Sequence, residues 1–76
     1  MADQIKFYDA NLSISCVDGA IEGIISSDPT RLHNFLMERD HEGSSIGLSV
    51  RFTPEAPIVN IDDPEEVYKV IKSWLP

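Results

Sequence analysis

Residues 12–25 read LSISCVDGAIEGII, which places a turn between two runs of alternating apolar and polar residues. Asp18-Gly19 suits a two-residue type I′ turn, because Asp and Gly tolerate the positive φ angles that this turn needs at both positions. A two-residue turn also dictates the pairing of the flanking strands, so that Leu12 faces Ile25. The stretch therefore predicts a β-hairpin.

The predicted register sorts the side chains of this hairpin onto two faces. The apolar face would carry Leu12, Ile14, Cys16, Ile21 and Ile25. The other face would carry Ser13, Ser15 and Glu22. A slip of one strand by a single residue would mix the two sets, which favours this register.

A helix is predicted over residues 29–40. Asp28 can cap its first turn, and Pro29 suits a position whose N–H would have no partner. Gly43 can adopt the left-handed conformation that often follows a helix. The apolar side of this helix follows the i, i+3, i+4 spacing at Leu32, Phe35 and Leu36.

A second helix is predicted after Asp63-Pro64, which repeats the same capping device. Glu66 stands at the third helical position, where a capping box would place it. The apolar side continues almost to the end of the chain at Val67, Val70, Ile71 and Trp74.

Strict alternation over residues 46–52 predicts a half-buried strand, and residues 58–61 predict its partner. A four-residue loop would pair Phe52 with Val59. Residues 4–9 can add an edge strand. The fold class is thus α+β: a four- or five-stranded antiparallel sheet with two helices on one face, in ββα-ββα order, within a single domain of residues 1–76.

The two halves of the chain have similar patterns, since the Asp-Pro pairs at Asp28 and Asp63 lie 35 residues apart. One interpretation is an internally duplicated domain with a pseudo-twofold axis. The other is that any two hairpins followed by capped helices share this pattern. Both interpretations predict the same architecture.

Composition limits the functions that the chain can have. Six Lys and Arg against 13 Asp and Glu give a net charge of −7, which argues against direct binding to nucleic acid or to an anionic membrane. A single cysteine excludes an internal disulfide. The N-terminal residues contain no apolar run of signal-peptide length, so we expect a cytoplasmic protein.

Catalytic and metal-binding constellations are not expected. Cys16, His33 and His41 are the candidate soft ligands or nucleophiles, and their spacing matches no metal-binding or Cys-His motif. The carboxylate pairs Asp62-Asp63 and Glu65-Glu66 stand at a helix start, where capping accounts for Asp63 and Glu66. We therefore expect no enzyme activity, no metal and no cofactor.

Two surfaces remain as candidates for binding another protein. The first is an acidic segment without Lys or Arg, formed by Glu55, Asp62, Asp63, Glu65 and Glu66. The second is the sheet face opposite the helices, with Tyr8, Ser13, Ser15, Ile24, Ser49, Arg51 and Ile58. The acidic segment suits a partner with a basic surface, although a solvated acidic face alone would look the same.

The sequence thus predicts a non-enzymatic, acidic protein-binding domain, such as an inhibitor or accessory factor that occludes a partner protein's surface. One alternative is a nucleic-acid-mimicking antagonist of a DNA- or RNA-binding protein, whose binding would weaken steeply with salt. A third is a structural subunit of an assembly, including a homodimer, which would be visible as an oligomer in solution.

Overall fold

The computed structural model describes residues 7–39 and 42–75. In chain order the elements are β1 (Asp9–Ser15), β2 (Ile21–Ser26), α1 (Pro29–Glu38), β3 (Ser45–Arg51), β4 (Val59–Ile61) and α2 (Pro64–Trp74). The four strands form one antiparallel sheet in the order β2-β1-β3-β4, so β1 and β3 are central. The predicted α+β class and four-stranded antiparallel sheet are confirmed.

The first half of the predicted fifth strand over residues 4–9 lies outside the described residues. Asp9, its last residue, begins β1, whereas Phe7 and Tyr8 precede that strand.

One hydrophobic core contains residues from both helices and from the two central strands. Its strand residues alternate along β1 and β3, so they occupy one face of the sheet, which we call the core face: Ala10, Leu12, Ile14, Ile46, Leu48 and Val50. The helices contribute Leu32, Phe35, Leu36, Val67 and Ile71 to the same cluster. We call the opposite face of the sheet the open face.

Both predicted helix starts are confirmed. The side chain of Asp28 accepts a hydrogen bond from the N–H of Thr30 at 3.0 Å, and that of Asp63 accepts one from Glu65 at 3.1 Å. These bonds satisfy N–H groups that have no partner within a first helical turn.

The end of the first helix differs from the prediction. The helix ends at Glu38 with Arg39 as its C-cap, so it is shorter than residues 29–40. Gly43 does have a positive φ of 77°, but it lies four residues beyond that cap. It therefore shapes the connection to β3 and does not terminate the helix.

The type I′ turn predicted at Asp18-Gly19 is wrong. Only Gly19 of these two has a positive φ, at 93°, and the N–H of Gly19 donates to the carbonyl of Cys16 at 3.0 Å. The N–H of Cys16 in turn donates to the carbonyl of Ala20 at 2.7 Å. This is a three-residue loop, a type I turn followed by a left-handed glycine.

The longer loop shifts the predicted register by one residue. Leu12 faces Ile24 instead of Ile25, and Ile14 faces Glu22. As a result Ile24 lies on the core face, partly buried, although it was predicted on the open face. Ile21 and Ile25, which were predicted in the core, lie on the open face with 72% and 69% of their surface exposed.

The register predicted between the third and fourth strands also differs. Val50 faces Val59 and Leu48 faces Ile61, a shift of two residues that leaves each side chain on its predicted face. Phe52 was predicted to pair in the sheet, but it lies beyond the end of β3 and is 48% exposed. The connection to β4 is correspondingly longer than the predicted four residues.

Candidate interaction surfaces

Small residues, all but one of them polar, form the centre of the open face. On the two central strands these residues alternate with the buried ones, and they are Asn11, Ser13, Ser15, Ser45, Gly47 and Ser49. Ser49 donates a hydrogen bond through Oγ to Oδ1 of Asn60, which lies beside it on β4, at 2.7 Å. The side chains at the centre of this face therefore project little from the sheet, and most of them are polar.

Exposed aliphatic side chains border this polar centre on two sides. Ile21 and Ile25 lie on the edge strand β2, and Ile58 immediately precedes the opposite edge strand β4. Ile58 is 59% exposed. Isolated exposed aliphatic residues are ordinary, but three on one side of a small sheet form a surface that suits contact with another protein.

An ion pair lies at one end of the open face. Arg51 donates from Nε to Oδ1 of Asp9 at 3.2 Å and from Nη2 to Oδ2 at 2.9 Å. The pairing is bidentate, because the planar guanidinium matches the two carboxylate oxygens. These hydrogen bonds, and the negative charge of Asp9, raise the pKa of Arg51 above its usual value.

Tyr8 completes this group. The guanidinium carbon of Arg51 lies 5.1 Å from the centre of the Tyr8 ring, within the range of a cation–π contact. The N–H of Tyr8 also donates to the carbonyl of Arg51 at 2.7 Å. The charged head of Arg51 is thereby oriented from two sides, and it is not a free cation.

A shallow depression of about 280 Å³ lies between this ion pair and the aliphatic border. Asn11, Ser49 and Arg51 provide polar atoms around it, and Ile25 and Ile58 provide apolar walls. This composition would accept a side chain that projects from a partner protein.

The structure brings most of the predicted open-face residues together. Ser13, Ser15, Ser49 and Arg51 share the open face, as predicted. Tyr8 and Ile58 are exposed and line depressions at its margin. Sequence reasoning missed Ile21, Ile25, Asn11 and Asp9. A three-residue turn with Gly19 as the left-handed residue would have placed the first two correctly.

The predicted acidic segment is divided between the two ends of the sheet. Asp62 and Asp63 follow β4, and Glu65 and Glu66 lie in the first turn of α2. Glu55 lies in the connection from β3 to β4, at the opposite end, because the two strands are antiparallel. All five residues are exposed.

Further acidic residues lie at the end of the sheet that carries Asp62, Asp63, Glu65 and Glu66. The turn between β1 and β2 and the start of β3 lie at the same end of the sheet as the start of α2. We call this end the acidic end; its acids are Asp18, Glu42, Asp62, Asp63, Glu65 and Glu66. Arg31, Arg51 and Lys72 lie toward the other end, since α1 begins there and β3 and α2 end there, whereas Arg39 lies toward the acidic end, where α1 ends.

The candidate ligands and nucleophiles do not form a site within the described residues. Cys16 is a free thiol packed partly against the core. His33 lies on α1, whereas His41 lies outside the described residues. No group of three His, Cys, Asp or Glu side chains in residues 7–39 and 42–75 is arranged to hold a metal ion.

Neither α1 nor α2 is long and apolar enough to cross a membrane. Comparison of the chain with protein-family models, with curated proteins and with solved structures found no match. The chemistry of the surfaces is therefore the basis for a functional proposal.

Proposed function

We propose that this chain is a non-enzymatic protein-binding domain, an inhibitor or accessory factor that covers the surface of a partner protein with its open face. The observation that carries the proposal is the aliphatic border of that face. Ile21, Ile25 and Ile58 are all well over half exposed, although they lie on or beside strands of the sheet. Covering them would remove apolar surface from water, which drives association.

In this proposal both helices cover the core face, which leaves the open face as the broad surface without a second layer. The polar centre would supply hydrogen bonds and would allow close approach, because serine and glycine project little from the sheet. The aliphatic border would supply most of the affinity. The depression beside Arg51 would accept one projecting side chain of the partner.

The acidic end would fix the orientation of a partner on the open face. A partner with basic residues at one margin of its binding site would be oriented so that those residues meet Asp62, Asp63 and their neighbours. Such charge complementarity mainly accelerates association and excludes other partners. It also predicts a modest dependence of the association rate on salt.

The decisive experiment uses a pair of matched variants. Ile58→Lys introduces a charge on the open face, and Met37→Lys introduces the same charge on the exposed surface of α1, where Met37 is 48% exposed. Proteins retained from a native extract by the immobilised chain are quantified for the wild type and both variants. A partner retained by Met37→Lys and lost with Ile58→Lys supports the proposal; a partner lost equally with both contradicts it.

The alternative of a nucleic-acid-mimicking antagonist is favoured by one observation, the concentration of carboxylates at the acidic end. Such an antagonist would compete with DNA or RNA for its target, and its affinity would fall steeply as salt is raised. Replacement of Asp62 and Asp63 by asparagine would then weaken binding far more than Ile58→Lys. The opposite ranking supports binding through the open face.

The non-enzymatic part of the proposal has its own test. Purified protein is assayed for turnover on panels of hydrolase and transferase substrates. Activity that co-purifies with the chain and is lost on Asp62→Asn and Asp63→Asn would overturn this part.

A further inference from the structure

We propose that two copies of this chain associate through the outer edge of β2, so that the sheets join into one antiparallel sheet across a twofold axis. This interface shares Ile21 and Ile25 with the aliphatic border of the open face, but it is inferred independently of the open-face function. It follows from the hydrogen bonding of β2, from its side chains and from the charges of the helix beside it.

In three residues of β2 the backbone N–H and C=O groups point away from the neighbouring strand β1. The bond from the N–H of Cys16 to the carbonyl of Ala20 shows which facing pairs of β1 and β2 exchange hydrogen bonds. Such pairs alternate along an antiparallel ladder. Ile21, Gly23 and Ile25 therefore point their N–H and C=O groups away from β1, at the edge of the sheet.

The two edges of the sheet are not equivalent in this respect. By the same alternation β4, with only three residues, points the backbone groups of Asn60 outward. β2 has six residues and contains no proline, lysine or arginine, which commonly protect edge strands. β2 is thus the edge that is open to pairing.

The sequence of β2 is complementary to itself. An antiparallel pair centred on Gly23 places Ile21 of one copy opposite Ile25 of the other, on the open-face side. Every outward-pointing N–H then meets an outward-pointing C=O of the second copy. The two Ile21–Ile25 contacts cover side chains that are otherwise 72% and 69% exposed, and Gly23 puts no side chain on the axis.

The helix beside β2 supplies charge complementarity. Arg31, Asn34 and Glu38 lie on one side of α1 and line a depression next to Ile24 of β2. α1 runs antiparallel to β2: Arg39 contacts Glu22 at 3.1 Å, and the N–H of Asp28 donates to Ser26 Oγ at 2.9 Å.

Because of this alignment, a twofold axis at Gly23 passes close to the middle of α1. Arg31 of each copy then faces Glu38 of the other. The Glu38 side chain is 71% exposed, although it also lies 3.6 Å from Arg39, so its carboxylate can accept a second cation. Glu22, the one charge on β2, is already neutralised by Arg39, so like charges do not oppose the pairing.

The first measurement is the mass in solution by sedimentation equilibrium. Edge-to-edge contacts are small, so the dimer is expected to be weak, and the protein is examined up to about 1 mM. The expected mass approaches twice the 8.5 kDa of one chain. A mass of one chain throughout that range would overturn the proposal.

Two variants separate this edge from the open face. Ile25→Pro removes an outward N–H without removing a bond to β1, so the variant is expected to be monomeric. Ile58→Lys changes the open face beside β4 and is expected to remain dimeric. A dimer that survives Ile25→Pro but is lost with Ile58→Lys would contradict the proposal.

A charge swap keeps the test informative if Ile25→Pro does not fold. Arg31→Glu alone places like charges together twice in the dimer and is expected to raise its Kd roughly tenfold. Combining Arg31→Glu with Glu38→Arg reverses both charges and is expected to restore the Kd. No difference between the single and the double variant would overturn this arrangement of the helices.

Amide hydrogen exchange identifies the strand directly. The amides of Ile21, Gly23 and Ile25 are expected to become protected as the protein concentration rises, whereas that of Asn60 is not. Concentration-dependent protection of the Asn60 amide without protection of the Gly23 amide would show that the dimer forms through β4, and it would contradict the proposal.

Discussion

Leu12 and Leu48 face each other across the central pair of strands, and both are buried, with at most 1% of their surface exposed. They form the middle pair of the β1–β3 ladder, which runs from Asp9–Arg51 to Ser15–Ser45. The strand order β2-β1-β3-β4 is symmetric about this pair, because each central strand has one edge strand on its outer side. The sheet is therefore approximately symmetric about Leu12 and Leu48, which are 36 residues apart in the chain, close to the 35 residues that separate the two Asp-Pro pairs. Whether the two halves arose by duplication stays a prediction.

Truncation of either leucine is expected to be among the most destabilising changes in the chain. Leu12→Ala and Leu48→Ala should each lower the free energy of unfolding by about 2–5 kcal/mol, because each leaves a cavity between the sheet and the helices. Ile58→Ala, at a position that is 59% exposed, is the control and should cost under about 1 kcal/mol. Urea denaturation measures all three. Equal losses at buried and exposed positions would contradict the assigned core.

Two glycines test the hairpin turn. Gly19→Ala should destabilise the protein by about 1 kcal/mol, because alanine disfavours a positive φ, although the added methyl group would meet no atom within 4 Å. Gly47→Ala is the control: its methyl group would meet only Ser13 Oγ, at an ordinary 3.8 Å. That variant should be neutral or slightly stabilising. A destabilisation by Gly47→Ala as large as that by Gly19→Ala would argue against a left-handed residue in the turn.

The helix caps should contribute similarly in the two halves. Asp28→Ala and Asp63→Ala are each expected to cost about 0.5–2 kcal/mol, because the N–H groups of Thr30 and Glu65 lose their acceptor. Asp28→Ser and Asp63→Ser keep an acceptor and should recover most of the loss. Thermal unfolding followed by circular dichroism compares the four variants. A serine variant as unstable as its alanine counterpart would show that the cap bond is not responsible.

The ion pair on the open face should be visible as slow proton exchange. The Nε–H of Arg51 donates to Asp9, so Asp9→Asn is expected to accelerate its exchange with water. Glu55→Gln removes an exposed carboxylate from the same end of the sheet and should leave the rate unchanged. Nitrogen-detected NMR at several pH values measures the rates. Unchanged exchange in Asp9→Asn would show that the bidentate pair does not persist in solution.

Helices were predicted more accurately than strand registers, and the reason is physical. A helix start depends on contacts within one turn, so Asp28-Pro29 and Asp63-Pro64 were sufficient to locate both. Strand register depends on loop geometry, and Asp18-Gly19 is compatible with both a two-residue and a three-residue loop. The difference of one residue exchanges the faces of β2, because side chains alternate along a strand. The open face therefore differs from the prediction: Ile24 lies on the core face instead, and Ile21 and Ile25 lie on the open face.

Local chemistry within the chain is enough to establish an acidic α+β domain with two capped helices, a core lined by alternating strand residues and a polar centre on the opposite face. Contacts between distant segments decide the rest. Packing of Ile24 against the core and the pairing of Glu22 with Arg39 select the three-residue turn and set the face of β2. The antiparallel β3–β4 pairing places Glu55 at the opposite end of the sheet from the other four residues of the predicted acidic segment. Such choices depend on which packing buries the most apolar surface while keeping polar groups paired, and that balance exists only once the whole chain is folded.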